Sequence, residues 1–167
     1  MNATEGGGDS PGPIPPLSKE VQPDWVDEYG VLLPAYHVVI LDHAVDVLFN
    51  TIGIGWAYRD ASNFGTFAVE THTIHRAPLG AGERVTVQSY ILAVDEKRLH
   101  HAHAMFRQGE AEPVSFMEQM TVHVDLEARR TAPLPAVIVA QINDLKEAQS
   151  SVPPATAIGR KIGLLYI

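Results

Sequence analysis

Pro34-Ala35-Tyr36-His37-Val38-Val39-Ile40-Leu41-Asp42-His43-Ala44-Val45-Asp46-Val47-Leu48-Phe49-Asn50-Thr51-Ile52-Gly53 is the stretch that decides the fold. Val38, Leu41, Val45, Leu48 and Ile52 recur at alternating spacings of three and four, which lines them up along one side of a helix. Pro34 suits a helix start, where its missing N–H would have no partner anyway. Gly53 and Gly55 suit its end. Asp42, Asp46 and Asn50 repeat at every fourth position on the flank of the stripe. The spacing therefore predicts one long, mostly buried helix with a polar edge.

Beyond this helix the period changes to two. Phe64 to Ala77 is rich in Phe, Val, Thr and Ile and reads as a strand ending at Pro78-Leu79-Gly80-Ala81-Gly82. Arg84 to Val94 follows, with Val85, Val87, Ser89 and Ile91 on one face. Leu99 to Phe106 lies past the turn Asp95-Glu96-Lys97. After Gln108-Gly109-Glu110 comes Val114 to Asp125, in which Phe116, Met120, Val122 and Val124 share a face. A first strand is expected near Val21–Tyr29, and a C-terminal helix at Val137–Gln149. Connections this short join antiparallel neighbours. About five antiparallel strands wrapped round one apolar helix make an α+β domain, whose free edges and outer face predict a dimer or a dimer of dimers.

Composition narrows the rest. The chain has 167 residues, no cysteine and a formal charge of −8. The length suits one domain with a real core. Without cysteine, disulfide scaffolds, thiolate metal sites and cysteine nucleophiles are excluded. The acidic balance argues against nucleic acid as a partner. No apolar run reaches the roughly 20 residues of a membrane span, and the N-terminus lacks the pattern of a signal peptide. The expectation is a cytoplasmic protein. Residues 1–19, rich in Gly and Pro, read as a disordered tail, 20–149 as the domain and 150–167 as a C-terminal tail.

Trp25-Val26-Asp27-Glu28-Tyr29-Gly30 stands before the helix, and the helix carries Leu41-Asp42-His43-Ala44. Val122-His123-Val124-Asp125-Leu126, then Arg129, Arg130, Pro133 and Pro135, mark the exit from the last strand. In this order the chain resembles the hotdog-fold acyl-CoA thioesterases of the 4-hydroxybenzoyl-CoA thioesterase-like branch. It is most similar to those of carnitine and betaine breakdown, whose chains also end in a tail like Gly159-Arg160-Lys161-Ile162-Gly163. The resemblance implies a hotdog fold, hydrolysis of an acyl-CoA to free acid and coenzyme A, and a site between two subunits. No cofactor is implied beyond the coenzyme A of the substrate.

The resemblance also implies roles. Asp27 becomes the carboxylate, as base for water or as direct nucleophile, and the backbone amides from Gly30 to Leu33, with Val31 between them, become donors to an oxyanion at the positive end of the helix. Many relatives carry Asn, His and Asn where this chain has Tyr29, Val31 and Leu33, which motivates an alternative: a non-catalytic hotdog protein that binds acyl thioesters or serves as an assembly subunit. Glu70 and His72, two apart on a strand, are expected to share a face and to support proton movement. Asp42 either faces a neighbouring pocket or bonds within the core. Arg129, Arg130, Arg160 and Lys161 are candidates for the phosphates of coenzyme A. His100-His101-Ala102-His103 lacks further ligands at local spacing, so no metal is expected and the strand is read as solvated or in a dimer contact.

Overall fold

In the computed structural model, residues 14–149 and 158–162 are described. The expected helix is α1, Pro34–Thr51, with Pro34 at its start. Gly53 follows at φ 80°, a left-handed turn that glycine makes without a Cβ penalty. The buried face of α1 is His37, Ile40, Leu41, Ala44, Val45, Leu48 and Phe49. It is broader than the expected stripe and rotated from it, so that Val38 is left 38% exposed. The helix lies in the hollow of a curled sheet and meets side chains on both flanks, which calls for adjacent apolar pairs (40/41, 44/45, 48/49).

A second helix, α2 at Trp56–Ser62, was not expected. It is short and has no apolar period to reveal it. Gly55 sits at the 58° bend between α1 and α2, where a Cβ would run into the Asn50 side chain and come 3.2 Å from Asn50 Cα.

The strands are β1 (Leu17–Glu20), β2 (Phe64–His75), β3 (Arg84–Val94), β4 (Arg98–Arg107), β5 (Pro113–Asp125) and β6 (Arg130–Thr131), and α3 is Ala136–Glu147. They pair antiparallel in the order β1-β3-β4-β5-β2, with the two residues of β6 on the end of β5. The sheet curls around α1 over a core that includes Leu41, Leu48, Val87, Ile91, Leu99, Met105 and Met117. Ile142 of α3 joins that core, and the Gln149 side chain bonds both the N–H and the C=O of Ile91 where β3 is bulged. This is the hotdog arrangement that the resemblance implies. Among the described residues no single helix is long and apolar enough to cross a membrane.

Expectations change at several points. β2 and β3, joined by the short turn at 78–82, are not the neighbours that turn predicts: the chain crosses over α1 there, and β2 pairs β5 at the far edge of the sheet. The first strand is Leu17–Glu20, not Val21–Tyr29, because Pro23 opens a 3-10 turn at Pro23–Trp25 and cannot donate to a ladder. Residues 14–19 therefore belong to the domain, with Ile14 in the core, and only 1–13 of the proposed tail lie outside the described residues. In the C-terminal tail, 150–157 and 163–167 also lie outside them, but Ile158 packs on the outer face of the sheet and the Gly159 N–H donates to Glu118 Oε2 at 2.7 Å. Phe116, Met120, Val122 and Val124 of β5 do share a face, as expected, and it is the one turned away from α1. The face toward α1 holds Ser115, Met117, Gln119, Thr121 and His123, all buried.

Candidate active site

Asp27 sits in a loop that closes on itself. Val26 bridges to Leu32, and the Asp27 N–H donates to Val31 O at 2.9 Å. Oδ1 of Asp27 accepts from the amides of Tyr29 (2.9 Å) and Val31 (3.0 Å), while Gly30, at φ 77°, donates to Asp27 O at 3.0 Å. Leu32 N–H is bonded to Leu79 O and Leu33 N–H to Trp25 O. The amides expected to be free for an oxyanion, from Gly30 to Leu33, are thus all engaged, three in holding the loop's own turn and that of Leu32 in tying it to Leu79. The first-turn amide without an acceptor among the described residues is that of Ala35, since Tyr36 and His37 both donate to Leu33 O. Asp27 Oδ2 has no hydrogen-bond partner among the described residues, on a partly exposed side chain.

A second feature lies farther along α1. A cavity of about 340 Å³ opens between α1, α2, β2 and β5, walled by Asp42, Asp46, Phe49, Trp56, Arg59 and Thr121 among others. Asp42 and Asp46 are one helical turn apart. Partial burial first, and then the neighbouring Asp46, push the Asp42 carboxyl above its ordinary range, with His43 opposing them. Arg59 lies over the Trp56 ring, Cζ 5.2 Å from its centroid, so that ring already faces a cation.

Behind the cavity runs a chain of buried polar groups. Ser89 Oγ contacts His103 Nδ1 at 2.9 Å, His103 Nε2 contacts His101 Nδ1 at 2.8 Å, and His101 Nε2 contacts Thr121 Oγ1 at 3.0 Å. Gln119 Nε2 donates to Thr121 Oγ1 at 3.1 Å and its Oε1 accepts from Thr71 at 3.3 Å. His101 and His103, expected on a solvated or contact strand, are 0% exposed. Burial keeps both neutral: it pushes His103 down to about 3 and His101 well below its usual value. Among the described residues no group of three or more His, Asp or Glu is placed to hold a metal.

The architecture has known counterparts. The thioesterase-like superfamily profile matches residues 21–142. A betainyl-CoA thioesterase of Pseudomonas aeruginosa is 36% identical over 144 residues, covering 86% of this chain and 91% of that protein. This chain belongs to the thioesterase-like superfamily. Among solved structures, a putative thioesterase of Pseudomonas putida matches with a TM-score of 0.78 at 35% identity, covering 89% of this chain and 94% of that one. A Staphylococcus aureus protein characterised in complex with CoA shares the fold, with a TM-score of 0.86 at 22% identity over 95% of this chain and 99% of its own.

In this thioesterase the other residues singled out in the sequence are scattered. A bulge at Val69 switches the parity of β2, so Glu70 pairs with Met120 and His72 with Glu118, on the face away from α1. Thr71, between them, faces inward and bonds Gln119. Glu70 and His72 do share a face, as expected, but the bulge takes them off the face of Ala68, which lines the cavity. Val31 and Leu33 are 37% and 38% exposed beside Asp27. Arg129, in a left-handed conformation, ends the β5–β6 turn that begins at the cavity residue Leu126, and Arg130 opens β6. Arg160 and Lys161 follow Gly159 on the outer face. His123, quoted above only as part of the exit from the last strand, ties α2 to the β6 turn. Its Nδ1–H donates to Ala132 O (3.0 Å), so its Nε2 accepts from the Tyr58 hydroxyl (2.9 Å).

Sequence reading missed Gln119 and Thr121. Their signal was the polar alternation Ser115, Gln119, Thr121, His123, which on a strand reads as a solvated face until the sheet is closed over a helix.

Proposed function

We propose that this thioesterase hydrolyses a coenzyme A thioester whose acyl group carries a quaternary ammonium, as in betainyl-CoA, and that the ammonium lies in the cavity beside Asp42 and Asp46. The observation that carries this reading is the wall itself: two carboxylates a turn apart beside the Phe49 ring, against the single guanidinium of Arg59 that covers Trp56, in a chain 36% identical to a betainyl-CoA thioesterase. A quaternary ammonium cannot donate a hydrogen bond, so it is recognised by negative charge and by aromatic faces. Coenzyme A enters as part of the substrate and no separate cofactor is involved. Arg129 and Arg130, at the cavity end of β5, are the proposed phosphate contacts, and a cytoplasmic location belongs to the same reading.

Asp27, with Oδ2 free, is the proposed base or nucleophile, and the Ala35 amide the proposed backbone donor to the oxyanion. Its loop is packed at the first turn of α1, where Trp25 stacks on Tyr36 with ring centroids 5.3 Å apart. Asp42 lies eight residues beyond Pro34, about 12 Å along the helix at the α-helical rise. In a betainyl group the ammonium is one methylene from the carbonyl, too short a reach to join Asp27 and Asp42 of one chain. A two-fold dimer resolves this by setting one subunit's Asp27 loop at the other's cavity. The open edge of β2, with Phe67 and Val69 63% and 52% exposed, is the proposed dimer contact.

The test is thiol release from betainyl-CoA against its neutral isostere, 3,3-dimethylbutanoyl-CoA. A clear preference for the cationic substrate supports the reading. Equal turnover of both, or none of betainyl-CoA, ends it.

A further inference from the structure

The hydrogen-bonded line from Ser89 to Thr121 has only two consistent arrangements when both histidines are neutral. If it points outward, Ser89 donates to His103 Nδ1, His103 Nε2–H to His101 Nδ1, and His101 Nε2–H to Thr121 Oγ1. If it points inward, the Thr121 hydroxyl donates to His101 Nε2, and both imidazoles carry their proton on Nδ1 instead. The contacts allow no mixture, because the His103 Nε2 to His101 Nδ1 link at 2.8 Å needs one donor and one acceptor.

The two arrangements leave a spare proton in different places. Inward, the spare proton is that of Ser89, which is 9% exposed and has no hydrogen-bond partner besides His103 among the described residues. A buried donor without an acceptor is disfavoured. Outward, the spare proton is that of Thr121, 2% exposed, whose oxygen already accepts from Gln119 and His101 and whose side chain lines the cavity, so that water or a carbonyl held there accepts the proton. The outward arrangement therefore prevails.

We propose that Thr121 is a second catalytic residue of the cavity, donating its hydroxyl proton to the thioester carbonyl oxygen, and that Ser89, His103 and His101 are positioning residues that keep this hydroxyl a donor. This rests on the cavity being the acyl site, since the carbonyl is the acceptor a betainyl group brings there. Thr121 loses no proton in the reaction: its hydrogen bond strengthens as negative charge builds on the carbonyl oxygen and relaxes when the thiolate leaves.

Two measurements on the full chain test it. Nitrogen-15 NMR of the imidazoles, needing no substrate, is expected to show His101 and His103 both as Nε2–H tautomers; Nδ1–H tautomers would overturn the proposal. Thr121→Val is expected to lower kcat for betainyl-CoA by about a hundredfold, the scale of losing one oxyanion donor, with little change in KM, and Thr121→Ser to restore most of it. A folded Thr121→Val with wild-type kcat overturns the proposal, as does Thr121→Ser as slow as the valine variant. If Thr121→Val does not fold, Thr121→Ser and Thr121→Ala carry the same comparison. Should wild-type protein hydrolyse no thioester, the substrate reading fails, while the tautomers still judge the relay.

Discussion

His103 Nε2 and His101 Nδ1 meet at 2.8 Å inside the sheet, on a strand face with no solvent. Two neutral imidazoles can share that contact; two charged ones cannot.

Acid stability should show it. Burial lowers His101 and His75, lowers His103 to about 3 and lowers His37 to about 4. Each folded-state value lies below the unfolded one near 6.5, so the unfolded chain takes up protons first as pH falls. Stability is complete above about pH 6.5 and is lost through the window down to the folded values. His103 alone accounts for about 2 kcal/mol by pH 5, at about 1.4 kcal/mol per pH unit. Urea midpoints should drop steeply between pH 7 and 5; a flat profile would contradict neutral buried histidines.

Charge recognition should separate from stability at Asp42. The carboxyl is held above its ordinary range, so the folded state disfavours its charge, and that penalty grows as pH rises past the unfolded value. Asp42→Asn should raise Tm slightly at pH 7. With Asp46→Asn added, the preference for betainyl-CoA over the neutral isostere should fall about tenfold or more. An unchanged preference in the double variant would remove these residues from substrate recognition.

Asp27 and Asp42 should complement between subunits. Asp27→Ala chains and chains with both Asp42→Asn and Asp46→Asn, each weak alone, should regain about a quarter of wild-type activity when co-refolded one to one, because half the dimers are mixed and each has one intact site. No recovery would place both residues in one chain's site.

The β2 edge should control assembly. Phe67→Glu with Val69→Lys puts charges on a strand edge that now exposes apolar side chains. Sedimentation should then show a smaller species than wild type, with the thermal transition of the monomeric fold retained. An unchanged sedimentation coefficient would point the dimer contact elsewhere.

Much of the fold was readable from local patterns. Arg84–Val94 emerged as read, and α1 began at Pro34 and ended before Gly53. The polar edge of Asp42 and Asp46 was legible as well, though not what it borders. The 3-10 turn at Pro23 and the short α2 had no periodicity to announce them. At Val69 the failure was physical: a single bulged residue inverts every later side chain of β2, and alternation alone cannot register it.

The sequence by itself determined the main helix, the long strands, the antiparallel run from β3 to β5 and the family, because period, turn residues and motif spacing are local properties. Tertiary structure decided which side of each strand became interior. It buried Gln119, Thr121, His101 and His103 behind the cavity and tied the Leu32 amide of the Asp27 loop to Leu79 O. Those outcomes depend on which groups meet across the sheet and around α1, and a hydrogen bond between residues far apart in the chain leaves no period in the sequence.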